Sequence, residues 1–186
     1  MYIAVGYSLG WFEIKADEIY DLENKIEVCN KFVMLDHIIM NIWTGIDPSK
    51  SESVTIQEFD KLLEKFTNNP KRYTAQTALE ILIEKGLVIR ANSNEELFDY
   101  LRNFKVIRNG VPHFDHGAMA TRQEFKPVII SSEPIHVSNL QLDIWREANG
   151  IKTFEQIYRE KFSYMELSVF LDSIFYLKKE CLLFIA

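Results

Sequence analysis

Residues 140–157 read LQLDIWREANGIKTFEQI. Leu140, Ile144 and Trp145 recur at helical spacing, and the run stops at Asn149-Gly150. Thr153-Phe154-Glu155-Gln156 then has the form of a capping box, in which the threonine oxygen takes an orphan amide and a side chain near the third position reaches back. It opens a helix with Phe154, Ile157 and Phe162 inward. Ser163-Tyr164-Met165-Glu166 has the same form and predicts a further helix that buries Leu167, Phe170, Leu171, Ile174 and Leu177, closing into a strand over residues 182–185.

The same order of elements occurs earlier in the chain. Leu35, Ile38, Ile39 and Ile42 lead to Trp43-Thr44-Gly45, and a polar stretch over residues 47–53 follows. Thr55-Ile56-Gln57-Glu58 reads as a capping box before an inward stripe of Ile56, Phe59, Leu63 and Phe66. A third helix starts between Pro70 and Thr74, buries Ala75, Ala78, Leu79 and Leu82, and stops at Gly86 before the strand Leu87-Val88-Ile89-Arg90. Equivalent positions are 102 residues apart at the tryptophans, 98 at the capping threonines and 95 at Leu82 and Leu177. Strand-like sequence precedes each copy: residues 11–14 and 26–34, with Asp21-Leu22-Glu23-Asn24-Lys25 as a hairpin turn, and Pro127-Val128-Ile129-Ile130. Between the copies lie an amphipathic segment (Leu97, Tyr100, Leu101, Phe104), the turn signal Asn109-Gly110-Val111-Pro112, and a linker over residues 113–122.

Strand, three helices and strand within 60–70 residues, with a buried aromatic closing the first helix, is a winged-helix pattern. The expected fold is therefore α+β: tandem winged-helix (helix-turn-helix) units, each of three helices and a small antiparallel sheet. The expected division is residues 1–95, a helical segment and linker over 96–124, and residues 125–186. The second copy resembles the winged-helix modules of the PqqD-like type, the leader-peptide recognition elements of peptide-modifying systems. Pro127-Val128-Ile129-Ile130, Ile144-Trp145, Gly150-Ile151-Lys152-Thr153-Phe154 and Leu182-Leu183-Phe184-Ile185 carry that resemblance. It departs at Lys178-Lys179-Glu180-Cys181, where that family usually places a glycine. In the first copy, residues 73–82 (YTAQTALEIL) with Gly86-Leu87-Val88 look more like a generic DNA-reading winged helix.

Composition excludes other classes. The 186 residues are 47% hydrophobic, 26% charged and 13% aromatic, which is globular rather than disordered or collagenous. No apolar run is long enough for a bilayer, and the first residues lack the n- and h-regions of a signal peptide. Cys29 and Cys181 are far apart, lack metal-type spacing and have apolar neighbours, so they read as reduced core thiols of a cytoplasmic protein. A net charge of −6 argues against a whole surface that coats nucleic acid. Residues 61–130 alone hold an excess of bases, 11 against 8 acids.

Signs of catalysis are few. No phosphate loop, nucleophile elbow or glycine-rich fingerprint occurs. His113-Phe114-Asp115-His116 gathers possible ligands, but no further Cys or His cluster completes a metal site. His37 is placed at the edge of the first helix and His136 near a strand end, neither with a nameable partner. The expectation is a non-catalytic binding protein without cofactor or metal.

In this fold the third helix usually recognises. At about 100° per residue, Met165, Val169 and Tyr176 fall opposite the core stripe of the last helix, a surface suited to an apolar partner or to packing on the first copy. The resemblance implies a peptide added to a sheet edge along that helix, here at Val128, Ile129 and Ile130 with Met165, Val169 and Tyr176. The alternative is a transcription regulator reading DNA through Lys71, Arg72, Tyr73, Gln76, Thr77 and Arg90, against which Glu80 and Glu84 would repel phosphate. A DNA reader of this size would be expected to act as a homodimer.

Overall fold

A computed structural model describes residues 1–16, 19–28, 31–66, 73–109, 111–113, 123–126 and 135–186. They divide into two compact units at Ser93/Asn94. The first unit runs β1 (Tyr2–Ala4), β2 (Tyr7–Ala16), β3 (Ile19–Val28), β4 (Lys31–Asp36), α1 (His37–Thr44), α2 (Glu52–Leu63), α3 (Ala75–Glu84) and β5 (Val88–Arg90). Strands β2, β3 and β4 form an antiparallel meander, and β1 pairs with β5. Each helix starts where an oxygen meets an orphan amide: Asp36 accepts from the Ile39 N–H, Ser51 from Val54 and Thr74 from Thr77. The helices bury Ile38, Ile39, Ile42 and Trp43, then Phe59 and Leu63, then Ala75, Ala78, Leu79 and Leu82, against a fully covered β1.

The second unit runs α4 (Asn94–Leu101), β6 (Lys105–Arg108), β7 (Val111–His113), β8 (Gln123–Lys126), β9 (Ile135–Val137), α5 (Asn139–Glu147), β10 (Asn149–Thr153), α6 (Phe154–Ile157), a π-helical turn (Tyr158–Phe162), α7 (Leu167–Lys179) and β11 (Leu183–Ile185). Strands β7, β8 and β9 form one antiparallel sheet, and β6 is the middle strand of another, between β10 and β11. Its core is aromatic. The Phe170 ring lies 5.4 Å from Phe154, 5.0 Å from Tyr158 and 5.6 Å from Phe162, centroid to centroid.

Several pairings run in the same order in the two units. Ile3 faces Ile89 and Ile107 faces Phe184; the first strands are 104 residues apart and the last strands 95. A three-strand meander precedes the first helix of the pattern in both units. Trp43 and Trp145 have the same low exposure of 7%, and each Nε1–H donates to the residue after the first strand of its pair, Val5 O at 3.1 Å and Asn109 O at 2.7 Å. The amides of Val5 and Asn109 donate to Leu87 O and Leu182 O, and those of Leu87 and Leu182 donate to Leu82 O and Leu177 O. Only the second unit adds a strand, β10, between its first two pattern helices among the described residues.

Several expectations need correction. α2 is capped by Ser51, not opened at Thr55, whose hydroxyl is buried and donates back to Ser51 O. Ser51 and Thr153, 102 residues apart like the tryptophans, are the equivalent caps, and the box at Thr153 is completed by Gln156. Ser163 does not cap α7. Glu166 does so in extended backbone without a side-chain bond. Residues 21–25 belong to β3 rather than a turn, since the β2–β3 ladder continues to Ala16 opposite Ile19. The segment expected as a helical piece and linker over 96–124 supplies most of α4, and β6, β7 and the start of β8, and it clusters with the second unit. Cys181 is exposed rather than a core thiol, because it sits at the left-handed turn after α7.

That turn is a direct test of the repeat. Gly86 (φ +70°) follows α3 and Cys181 (φ +55°) follows α7 in the same left-handed backbone, and only glycine adopts this region without strain. Gly86→Ala should lower stability by about 1 kcal/mol, roughly 4–8 °C in Tm for a unit of this size. Open space around the added Cβ leaves backbone strain as the cause. Cys181→Gly should raise stability slightly, by about 0.5 kcal/mol once the looser unfolded chain offsets part of the relief, and Tm by roughly 2–4 °C. A Tm lowered by both changes would show that the two turns are not equivalent.

Candidate functional site

α7 is a two-faced helix. Phe170, Leu171, Ile174 and Leu177 are fully buried, while Val169 on the other side is 44% exposed. Met165, in the bend before the helix, is half-buried, and its carbonyl accepts from the Tyr158 hydroxyl at 3.1 Å. Tyr176 is half-buried and donates to His136 O at 2.9 Å. Burial, and after it the negative charge of Glu180, raise the Tyr176 pKa, so the phenol stays protonated and able to donate. His136 lies in β9, the end strand of its sheet among the described residues. One hydrogen bond therefore sets the outer face of α7 beside β9. Val128, Ile129 and Ile130 lie outside the described residues.

Sequence reading missed two further apolar side chains of this unit. Tyr164, in the bend before α7, and Ile151, in β10, are 79% and 76% exposed. Helical periodicity could not find them, because both sit outside helices, and β10 (NGIKT) carries no alternation of apolar and polar residues.

The residues of the DNA alternative are dispersed over other tasks. Lys71 and Arg72 lie outside the described residues. Tyr73 donates to Asp36 Oδ2 at 2.9 Å, linking the approach to α3 with the end of β4. Gln76 donates to Glu80 at 2.8 Å, and the Thr77 amide is taken by the Thr74 cap. Arg90 is held by Glu52 at 2.9 Å, and Glu52 also accepts from the Tyr2 hydroxyl at 2.8 Å. The Tyr2 bond, followed by Arg90, holds the Glu52 carboxyl below the usual range, while burial first and the Glu52 charge after it push Tyr2 up to about 12. This triad ties β1, α2 and β5 together. The outer face of α3 carries Thr77, Glu80 and Glu84, all exposed.

Of the histidines, His37 is exposed and meets the Phe66 ring edge-on at 5.7 Å. His116 lies outside the described residues. No three His, Cys, Asp or Glu side chains gather as metal ligands among the described residues, and no helix among them is long and apolar enough to cross a membrane. Comparison with protein-family models, with curated proteins and with solved structures finds no match for this chain.

Proposed function

We propose that the chain is a non-catalytic protein of two winged-helix units that recognises a peptide or protein partner through the second unit. The partner would add an extended strand to β9 and rest its apolar side chains on Met165, Val169 and Tyr176. The observation that supports this reading is the Tyr176–His136 hydrogen bond, which sets the α7 face with the exposed Val169 beside β9, the end strand of its sheet among the described residues. The resemblance of the second unit to PqqD-like modules supports the same mode. DNA reading by the first unit rests on the exposed Gln76 and Thr77 of α3, but Arg90 would have to leave Glu52 to serve it.

The test is Val169→Asp. Burying a side chain of this size in a partner contributes roughly 1.5–3 kcal/mol, so affinity should fall at least about tenfold. Because Val169 is 44% exposed, Tm should change little. A severe loss of Tm would mean that this face is already covered, and unchanged capture of the partner would remove the face from recognition. Titration with duplex DNA at low salt checks the alternative: affinity that falls steeply as salt rises would favour it.

A further inference from the structure

We propose that the segment taken by α7 is a basic amphipathic peptide, extended, with apolar side chains toward Val169 and lysine or arginine beside them; the proposal rests on the peptide-binding reading of this face. On a helical wheel, Asp172, Ser173 and Tyr176 lie within about 60° of Val169, while Lys178 and Lys179 lie about 180° and 80° away. The two caps, Glu166 and Glu180, stand at the ends of the same face. The apolar row is thus bordered by three carboxylates, with Lys179 as the nearest cation of its own helix, just beyond Asp172.

Those carboxylates differ from the others around them. From Ile135 onward, Asp143 pairs with Arg146, Glu147 and Glu160 share Lys152, and Glu155 pairs with Arg159. Glu166, Asp172 and Glu180 have no ion-pair partner among the described residues. Glu166 and Asp172 are exposed and Glu180 is half-buried. Three carboxylates without an ion-pair partner among the described residues, around an exposed valine, repel an acidic peptide or a nucleic acid, and they leave cations as the complementary neighbours. An exposed pair contributes little affinity, about 1.4–5-fold each, so the charges select the partner while the apolar contact holds it.

The extended form follows from the neighbouring strand. Same-face side chains of a strand repeat about every 6.6 Å, and Val169 and Tyr176 are about 10 Å apart along the helix. Two or three alternate apolar residues therefore cover the row, and the intervening arms of lysine or arginine are long enough to reach carboxylates at its borders.

The experiment is fluorescence anisotropy on the full chain with three labelled, end-blocked ten-residue peptides: lysine alternating with valine, glutamate alternating with valine, and lysine alternating with serine. The lysine–valine peptide should bind at least about tenfold more tightly than either control. Val169→Asp should weaken it about tenfold or more, and Asp172→Lys with Glu180→Lys roughly 2–20-fold. If the double variant melts early, Asp172→Lys alone, at an exposed position, gives the same readout at smaller size. Equal binding of the lysine–valine and glutamate–valine peptides, with both lost on Val169→Asp, would overturn the charge proposal and leave the peptide-binding face standing. A lysine–serine peptide bound as tightly as lysine–valine, and unaffected by Val169→Asp, would reduce the effect to general attraction by an acidic protein and also overturn it. Absence of binding by all three at low salt would overturn it too, and loss of the natural partner on Val169→Asp would then decide the underlying reading on its own.

Discussion

Trp43→Ala is expected to unfold the first unit under conditions where the parent chain is stable. The indole is 7% exposed, between α1 and the β1–β5 pair, and its Nε1–H is shared by Val5 O at 3.1 Å and Leu87 O at 3.2 Å. Removing an aromatic of this size from a packed core costs about 3–5 kcal/mol, which for a unit of this length lowers Tm by roughly 15–30 °C. Trp43→Phe separates the two contributions. Packing is largely kept and the donor is lost; Leu87 O still accepts from the Val5 amide, while Val5 O loses its indole partner. The cost of that orphan is about 1–3 kcal/mol, so the order of Tm should be parent, Phe, Ala. Amide hydrogen exchange should show protection falling first on α1, β1 and β5. A phenylalanine variant as stable as the parent would mean that the indole hydrogen bond contributes nothing, and the joint between α1 and the sheet would then rest on packing alone.

The helices are legible in sequence because their evidence is local. Ala75, Ala78, Leu79 and Leu82 are spaced at the helical period, and all four are buried where that period places them. Caps are less secure. Thr55 and Glu58 satisfy the capping pattern, yet Ser51 four residues earlier starts the helix, because one oxygen per helix end is enough and several are on offer along this stretch. Strands fail where their partners are distant. Residues 105–108, only four long, have little meaning until β11 pairs with them some 75 residues later. The polar run Asp21-Leu22-Glu23-Asn24-Lys25 contains neither glycine nor proline, and an antiparallel strand can turn a polar face to water, so it forms ladder rather than turn. The candidate site shows the same division. Val169 and Tyr176 are placed on the outer face by the helical period alone, whereas the bond from Tyr176 to His136 joins residues 40 apart and has no local signal.

Lys178→Met is expected to stabilise the second unit at neutral pH, with a gain that disappears in alkali. Lys178 lies on the inward side of the last turn of α7, where the residues before it are Ile174, Phe175 and Leu177, all buried. The residue as a whole is half-buried, but its ammonium is held in dense surroundings, and desolvation brings its pKa down to about 8 from 10.5, opposed only by the weaker pull of Cys181. A folded pKa below the unfolded one means that the unfolded chain binds more protons between about pH 8 and pH 10.5, so stability rises with pH across that window. Below pH 8 the folded unit carries a poorly solvated charge whose cost is at most about 3 kcal/mol by the shift, less for the water that still reaches the residue. Methionine has similar length without the charge, so Lys178→Met should raise Tm at pH 7 by several degrees. The parent should approach the variant as pH nears 10; above that, the raised pKa of Tyr176 removes stability from both alike, because a folded phenol resists ionisation. The comparison is therefore a difference between two melting curves at each pH rather than one absolute value. A Lys178→Met variant less stable than the parent at pH 7, or a difference independent of pH from 7 to 10, would show that the ammonium is well solvated and carries no electrostatic cost.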